Sequence, residues 1–304
     1  MPSTKRPCRR GGRAAMTLTV SQAFGVFLER LTPLQSDRDA KARHRSSVET
    51  SLKGSTRFGV YLFRETGSFG HGTGVRNHCD VDLLVSMTGS KPTSDTALQW
   101  VKEALKASFP ATTVEIRRPT VVVRFAGGAE QWEILPGFRT SPKGAAPVYD
   151  IPGPANGWMS SAPTVHLDYV NGVNQQAGIV GGAKKLARLA KAWKYYNQVP
   201  ISSFYLEMRA AQYMAVQTHF SAALHLCGYL EWLDKIALAD MNDPLGKASR
   251  FSACSSTATK TTALSNLRTA ATRARKAVTA ENAYNMPQAF DYLNLLFGHQ
   301  FPKR

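Results

Sequence analysis

Apolar and polar positions change their period along this chain, and the changes divide it into two unlike halves. Over "TLTVSQAFGVFLERLTPL" the residues Val20, Phe24, Phe27, Leu28 and Leu31 recur at the three- and four-residue spacing of one helix face. "SDRDAKARHRSSVETSLK" predicts a second, polar helix, and "RFGVYLF" is a β-type run that leads to a Gly67-Ser68 turn. "DVDLLVSM" reads as the next strand, followed by a helix in "SDTALQWVKEALKASF" opened by a Ser/Asp cap. "TTVEIRRPTVVVRFAGGAEQWEILPGF" alternates β-branched runs with Pro and Gly-Gly breaks, which predicts two or three more strands. Pro, Gly and Ser dominate residues 140–165, a crossing between lobes, and everything beyond is helical: "GGAKKLARLAKAWKYYNQ", "SSFYLEMRAAQYMAVQTHFSAALHL" and "TKTTALSNLRTAATRARKAVTAENAY". No internal repeat is visible. The pattern predicts an α+β fold: a small twisted mixed sheet with helices over residues 17–150, packed on a helical lobe over 151–304, with a cleft between them.

Composition narrows the class. With 304 residues, 43% of them hydrophobic and 19% charged, the chain can bury a full core as an ordinary globular protein, expected here as a monomer. Its apolar stretches are interrupted, as Glu231, Asp234 and Lys235 interrupt "FSAALHLCGYLEWLDKIALA", so none reaches the ~18 unbroken residues of a membrane span. Cys8, Cys79, Cys227 and Cys254 stand far apart without Cys/His pairing, which argues against a disulfide framework or structural zinc and suits a cytoplasmic location. The balance of 38 Lys+Arg against 21 Asp+Glu, net +17, makes polyanions the natural partners, whether nucleic acid or nucleoside triphosphates. Residues 1–16, basic and without an acid, are expected to be a disordered extension upstream of a start at Met16; no apolar segment follows that would make them a secretory signal.

The candidate chemistry lies in "TGSFGHGTGVRNHCDVDLLV". Residues i and i+2 of a strand share a face, so Asp80 and Asp82 project side by side. Two bare carboxylates so placed raise each other's pKa, and a cation between them relieves the repulsion. All-oxygen donors favour a hard ion, Mg²⁺ with Mn²⁺ as a substitute. "QWEILPG" offers a third acid, Glu133, in an apolar strand where a lone carboxylate is costly. Three acids suit a two-ion site, in which one ion activates the attacking oxygen and the other steadies the leaving group. Ahead of them, Gly67, Gly70, Gly72 and Gly74 let backbone N–H groups approach an anion, with the Ser68 and Thr73 hydroxyls as further donors. No Gly-Lys-Ser/Thr follows, so this is not a Walker loop. An isolated Asp-x-Asp is usually a solvated turn; the strand, glycine loop, paired acids and later strand acid together are far more specific.

This arrangement resembles the signature of the DNA polymerase β-like nucleotidyltransferases, which Gly67, Ser68, Asp80, Asp82 and Glu133 match position by position. Within that superfamily it is similar to the bacterial cGAS/DncV-like nucleotidyltransferases, the oligonucleotide cyclases of anti-phage CBASS systems. "KKLARLAKAWKYYNQVPISSFYLEMRA" resembles the family's helical-lobe segment: Leu186, Leu189 and Trp193 form a packing stripe, and Lys184, Arg188 and Lys191 share another face. The resemblance, which runs over residues 45–250, implies that Lys191 touches the donor triphosphate, that Ser203 bonds the same phosphates from a helix N-terminus, and that Phe204 stacks on the base. Trp158 and Pro163, in the connector, are expected to pack. His71 and His78 are expected at the surface or facing phosphate. Cys79 stands where the family has Ser, and the zinc ribbon of the animal cGAS enzymes is absent.

The implied activity is Mg²⁺-dependent, template-independent joining of purine NTPs, ATP or GTP, into a cyclic di- or trinucleotide, with CBASS effector or regulatory proteins as partners. Two other readings stand beside it. One keeps the chemistry and changes the acceptor to a linear 2′-5′ oligoadenylate or an RNA end, gripped by Arg268, Arg273, Arg275 and Lys276. The other is a catalytically silent nucleotide-binding or partner-docking module. Everything turns on whether the side chain of Glu133 faces Asp80 and Asp82.

Overall fold

A computed structural model of the chain describes residues 17–78, 80–125 and 130–304. The expected basic extension over 1–16, Cys79 and the Gly-Gly break at 127–128 lie outside the described residues.

The sheet is built from β1 (Gly59–Thr66), β2 (Val81–Thr88), β3 (Thr113–Arg117), β4 (Thr120–Phe125), β5 (Glu130–Arg139), β6 (Tyr149–Pro152) and β7 (Trp158–Ser161). Its order is β1-β2-β5-β4-β3, and β6 pairs with both β5 and β7. β2 and β5 run parallel and every other pair is antiparallel, so the sheet is mixed. Alternation divides its residues between two faces. Val81, Leu83, Val85 and Met87 of β2, with Trp132 and Ile134 of β5, enter one core together with α2 (Gln35–Lys53) and α4 (Ser94–Ser108). Asp82 and Leu84 point the other way, and Leu84 packs with Tyr149 and Ile151 of β6. Trp158 packs edge-on against Phe138 and donates from Nε1 to the Pro92 carbonyl at 3.1 Å.

The second core is helical. It joins α1 (Val20–Leu31), α5 (Pro163–Asn174), α6 (Gly182–Tyr196), α7 (Ser203–Met214), α8 (Ala222–Lys235), α9 (Thr257–Asn282) and α10 (Met286–Leu296). A capping box starts α1: Gln22 N donates to Thr19 Oγ1 at 3.2 Å, and Thr19 N donates to Gln22 Oε1 at 2.9 Å. Pro163 occupies the first turn of α5, where its missing N–H costs nothing. Among the described residues no helix is long and apolar enough to cross a membrane.

Three details depart from the sequence pattern. Residues 140–165 hold the β6–β7 hairpin, because short edge strands need only backbone pairing and tolerate Pro and Gly. The helical run expected over 202–226 breaks at residues 215–221 into α7 and α8. The cap of α4 is Thr93, one residue ahead of the Ser/Asp pair, accepting from Thr96 N at 3.2 Å.

α1 precedes the sheet in sequence yet buries its apolar stripe in the helical core. Phe27 meets Phe297 and Phe301 in edge-to-face contacts at 4.6 and 5.2 Å. Phe27→Ala is therefore expected to cost about 3–5 kcal/mol, measured by urea denaturation; a loss near zero would show that α1 is not part of this core.

Candidate active site

The parallel ladder decides where the acids go. Asp82 and Glu133 are direct register partners on β2 and β5, so their side chains leave the same face as neighbours. Asp80, just before β2, joins them: the Gln131 amide donates to Asp80 Oδ2 at 3.2 Å and to Glu133 Oε1 at 3.3 Å. Burial, then the charges of Glu133 and Asp80, push the Asp82 carboxyl up to about 7, against the opposing pull of Lys191. Burial likewise raises Asp80, with Lys41 opposing, and raises Glu133, with Asp80 adding to it.

This donor set is all oxygen and carries excess negative charge, which fits a hard divalent cation. Among the described residues no three His, Cys, Asp or Glu side chains are drawn around one point closely enough to hold an ion. Gly67 makes the approach to Asp82 possible. It has φ +57°, and a Cβ there would run into the Asp82 carboxylate, so a side chain is excluded by both conformation and space. Gly67 opens the single turn α3 (Gly67–Gly70), which brings Ser68 to the cleft.

The glycine loop is clamped by the helical lobe. Val75 is buried in the helical core. Arg188 of α6 donates from Nε to the Gly74 carbonyl at 3.0 Å and from Nη2 to the Gly72 carbonyl at 2.7 Å. Lys191 donates to Thr73 Oγ1 at 2.7 Å and to the carboxylate of Glu207, on α7. The Thr73 hydroxyl also donates to Glu207, and His71 Nδ1 pairs with its other oxygen. All four side chains are buried. Burial alone would raise the Glu207 carboxyl, but Lys191 and His71 outweigh it and hold the group well below the usual carboxylate range.

Thr73 and His71 are thus both held by a buried carboxylate, with His71 still lining the cleft. On the basic stripe of α6, Arg188 holds loop carbonyls and Lys191 holds Glu207. Sequence reasoning missed Glu207; the available signal was an acid inside the apolar run "YLEM", facing a helix with a lysine among small apolar residues.

Between the halves lies a cleft of about 380 Å³. Gly67, Ser68, His71, His78, Asp80 and Asp82 line it from the sheet and its loop, and Lys191, Lys194, Tyr195, Ser203, Phe204 and Glu207 from the helical lobe. Ser202 caps α7, accepting from Tyr205 N at 3.2 Å, which leaves Ser203 facing the cleft. Ser203 Oγ accepts from Lys194 Nζ at 2.6 Å and shares a hydrogen bond with the Tyr195 hydroxyl at 3.1 Å. Phe204 also packs on Phe251, at 5.0 Å, and His78 is exposed and stacks on Tyr195 at 4.8 Å. Lys194 and Tyr195 were not expected here. A larger, more open groove of about 730 Å³ between α2 and α4 contains none of the acids.

The raised Asp82 carboxyl has a consequence for stability. Unfolding returns it to an ordinary pKa of about 4, so between about pH 4 and pH 7 the folded protein holds a proton that the unfolded chain releases, and stability falls as pH rises through that window. In EDTA, the thermal midpoint should fall more for the native protein than for Asp82→Asn between pH 6 and pH 8, leaving the variant more stable at pH 8. Parallel pH profiles would contradict the crowding of the acids.

Comparison with known proteins agrees with this geometry. The family described as the Second Messenger Oligonucleotide or Dinucleotide Synthetase domain matches residues 18–174, which include all three acids and the glycine loop. No curated protein matches the chain. Among solved structures, Escherichia coli MS115-1 CdnC with ATP superposes with a TM-score of 0.75 at 17% identity, covering 93% of this chain and 98% of that one. CdnG of Bradyrhizobium diazoefficiens with GTP gives 0.73 at 16% identity, with 92% and 95% covered. The Vibrio cholerae cyclic AMP-GMP synthase DncV with a linear intermediate gives 0.75 at 13% identity, with 93% and 97% covered. At these identities the likeness is one of fold, and the family match carries the assignment: the chain belongs to the Second Messenger Oligonucleotide or Dinucleotide Synthetase family and is a cGAS/DncV-like nucleotidyltransferase.

Proposed function

We propose that the protein joins ATP or GTP, without a template and with Mg²⁺, into a cyclic di- or trinucleotide second messenger of anti-phage CBASS defence. The observation that carries this reading is the in-register pairing of Asp82 with Glu133, with Asp80 linked through Gln131, at the edge of a cleft whose far wall presents Ser203 and Lys194.

Asp80, Asp82 and Glu133 would hold the divalent cations, with Mn²⁺ able to replace Mg²⁺. Bound there, two ions supply neutralisation of the triphosphate and a lowered pKa for the acceptor hydroxyl. The protein's own groups do the positioning. Ser68 and the clamped glycine backbone meet the donor phosphates from the sheet side, Ser203 meets them from α7, and Phe204 borders the space for a base. A 2′- or 3′-hydroxyl forms the new O–P bond at the α-phosphate as the bond to pyrophosphate breaks. Repetition on the bound linear product closes the ring. Solved relatives with ATP, with GTP and with a linear intermediate support a nucleotide path through this fold, and a CdnC complex with a HORMA protein supports proposing a regulatory protein partner.

Intramolecular contacts of the candidate arginines weigh against the RNA-end reading. Arg275 is paired with Glu231, Arg268 Nε lies 3.1 Å from Asp234 Oδ1, and Arg273 donates to the Leu295 carbonyl at 2.8 Å, so these arginines tie α9 to its neighbours.

Incubating the protein with each labelled NTP and Mg²⁺ or Mn²⁺, then treating with phosphatase, should leave a resistant product whose mass identifies a ring. Asp80→Ala with Asp82→Ala should reduce that product below detection; full turnover by the double variant would refute the site. A phosphatase-sensitive product would point to linear synthesis instead.

A further inference from the structure

Asp82 and Glu133 owe their positions to the backbone ladder, but Asp80 does not. It stands one residue before Val81, where the pairing of β2 with β5 begins. What reaches it is a side chain. Alternation along β5 sends Gln131 out on the face of Glu133. Its amide donates from Nε2 to Asp80 Oδ2 at 3.2 Å and to Glu133 Oε1 at 3.3 Å. Ionised carboxylates only accept, so the nitrogen end of the amide faces them, with one hydrogen for each acid. The register partner of Gln131 on β4 is Arg124, whose guanidinium lies 2.7 Å from Glu115 Oε1 on β3. The cation of this row thus has an acid of its own, and a neutral amide stands between it and the site. Burial raises the Asp80 and Glu133 carboxyls; Lys41 opposes it at Asp80, and the Gln131 hydrogen bonds oppose it at both.

We infer that Gln131 is a positioning residue of the cation site, fixing the span and orientation of Asp80 relative to Glu133 for the divalent ions. The inference rests on the nucleotidyltransferase reading above. A carboxylate at the end of a lead-in segment is free to rotate, and an ion that binds it must order it; one already tethered loses less freedom. The amide suits this task better than a charged group. A lysine or arginine in its place would offer hydrogens but cancel the negative charge that attracts a divalent ion, and an acid would add to the repulsion. Each acid gives the amide one oxygen, so the remaining lone pairs of both stay open toward an ion. Groups that hold the ligands of a metal without touching it are a large part of its affinity, and their loss typically weakens binding about 10–100-fold. The register supplies Asp82 and Glu133, and Gln131 adds the acid that the register leaves out.

Mn²⁺ binding without nucleotide, followed through the electron paramagnetic resonance signal of the free ion, tests this on the full chain. Gln131→Met keeps the stem and removes both hydrogens, and should weaken Mn²⁺ binding by about tenfold or more. Activity should divide in the same sense. The variant should need about tenfold more Mg²⁺ for half its maximal rate, while kcat at saturating Mg²⁺ stays within about threefold of native. Gln131→Thr, whose branched side chain suits a strand, repeats the comparison should the Met variant melt early. Mn²⁺ binding by the folded variant within about twofold of native, or tighter, overturns the inference. So does a kcat more than about tenfold down at every Mg²⁺ concentration, since that marks a residue touching the ion or the reacting atoms. A native protein that neither binds Mn²⁺ nor turns over NTP would instead defeat the nucleotidyltransferase reading, so the two failures are distinct.

Discussion

The site depends on one parallel pair of strands. Because β2 and β5 run in the same direction and in register, Asp82 and Glu133 emerge at the same level and on the same face. A slip of one residue in either strand would send its acid into the core with Val81 or Trp132. The apolar residues that alternate with the acids therefore do more than fill the core: Leu83, Val85, Trp132 and Ile134 lock the register, and the register brings like charges together. Without that lock the carboxylates would separate, since burial disfavours all three charges and repulsion from neighbouring acids adds to it at Asp82 and Glu133. Hydrophobic burial holds an electrostatically unfavourable cluster in place, as a protein does where the cluster has work to do.

Glu207 solves the complementary problem. The glycine loop has little side-chain volume with which to hold itself, and it must sit between a sheet and a helical lobe. A single buried carboxylate, reached by His71, Thr73 and Lys191, supplies the missing anchor, while Arg188 takes the free carbonyls of Gly72 and Gly74. Breaking a buried pair of this kind by removing one partner costs about 3–5 kcal/mol, because the remaining charge is stranded. The loop's geometry is thus tied to the packing of α6 on α7, well away from the reacting atoms.

What was legible in the sequence follows from the range of each interaction. The two-residue period of a strand made Asp80 and Asp82 neighbours, and the cost of an unpartnered acid in an apolar strand pointed Glu133 toward them; both arguments are local. The amphipathic stripe of Val20, Phe24, Phe27 and Leu31 identified a helix but not the core that receives it, which is assembled from residues near the other end of the chain, Phe297 and Phe301. The hydrogen bonds of Thr73 and His71 to Glu207 escape the sequence for the same reason. Their direction is set by a carboxylate more than 130 residues away, so loop composition alone reads as a phosphate cradle. The hairpin of β6 and β7 was hidden by its Pro and Gly content, because its pairing depends on the exposed edge of β5 rather than on side-chain alternation.

The net charge carries a related lesson. An excess of +17 suggests a polyanion on the surface, yet several of the most conspicuous cations have internal duties. Arg268 and Arg275 hold α9 to acids of α8, Arg188 holds loop carbonyls, and Lys191 is neutralised where it stands. A count of charges does not distinguish a cation that awaits a ligand from one that already has a partner. The distinction comes from geometry. The acids on the sheet side and an ammonium on the helix side then face each other across the same opening, the polarity that a metal-bound polyphosphate requires: negative where cations dock, positive where free phosphate oxygens project.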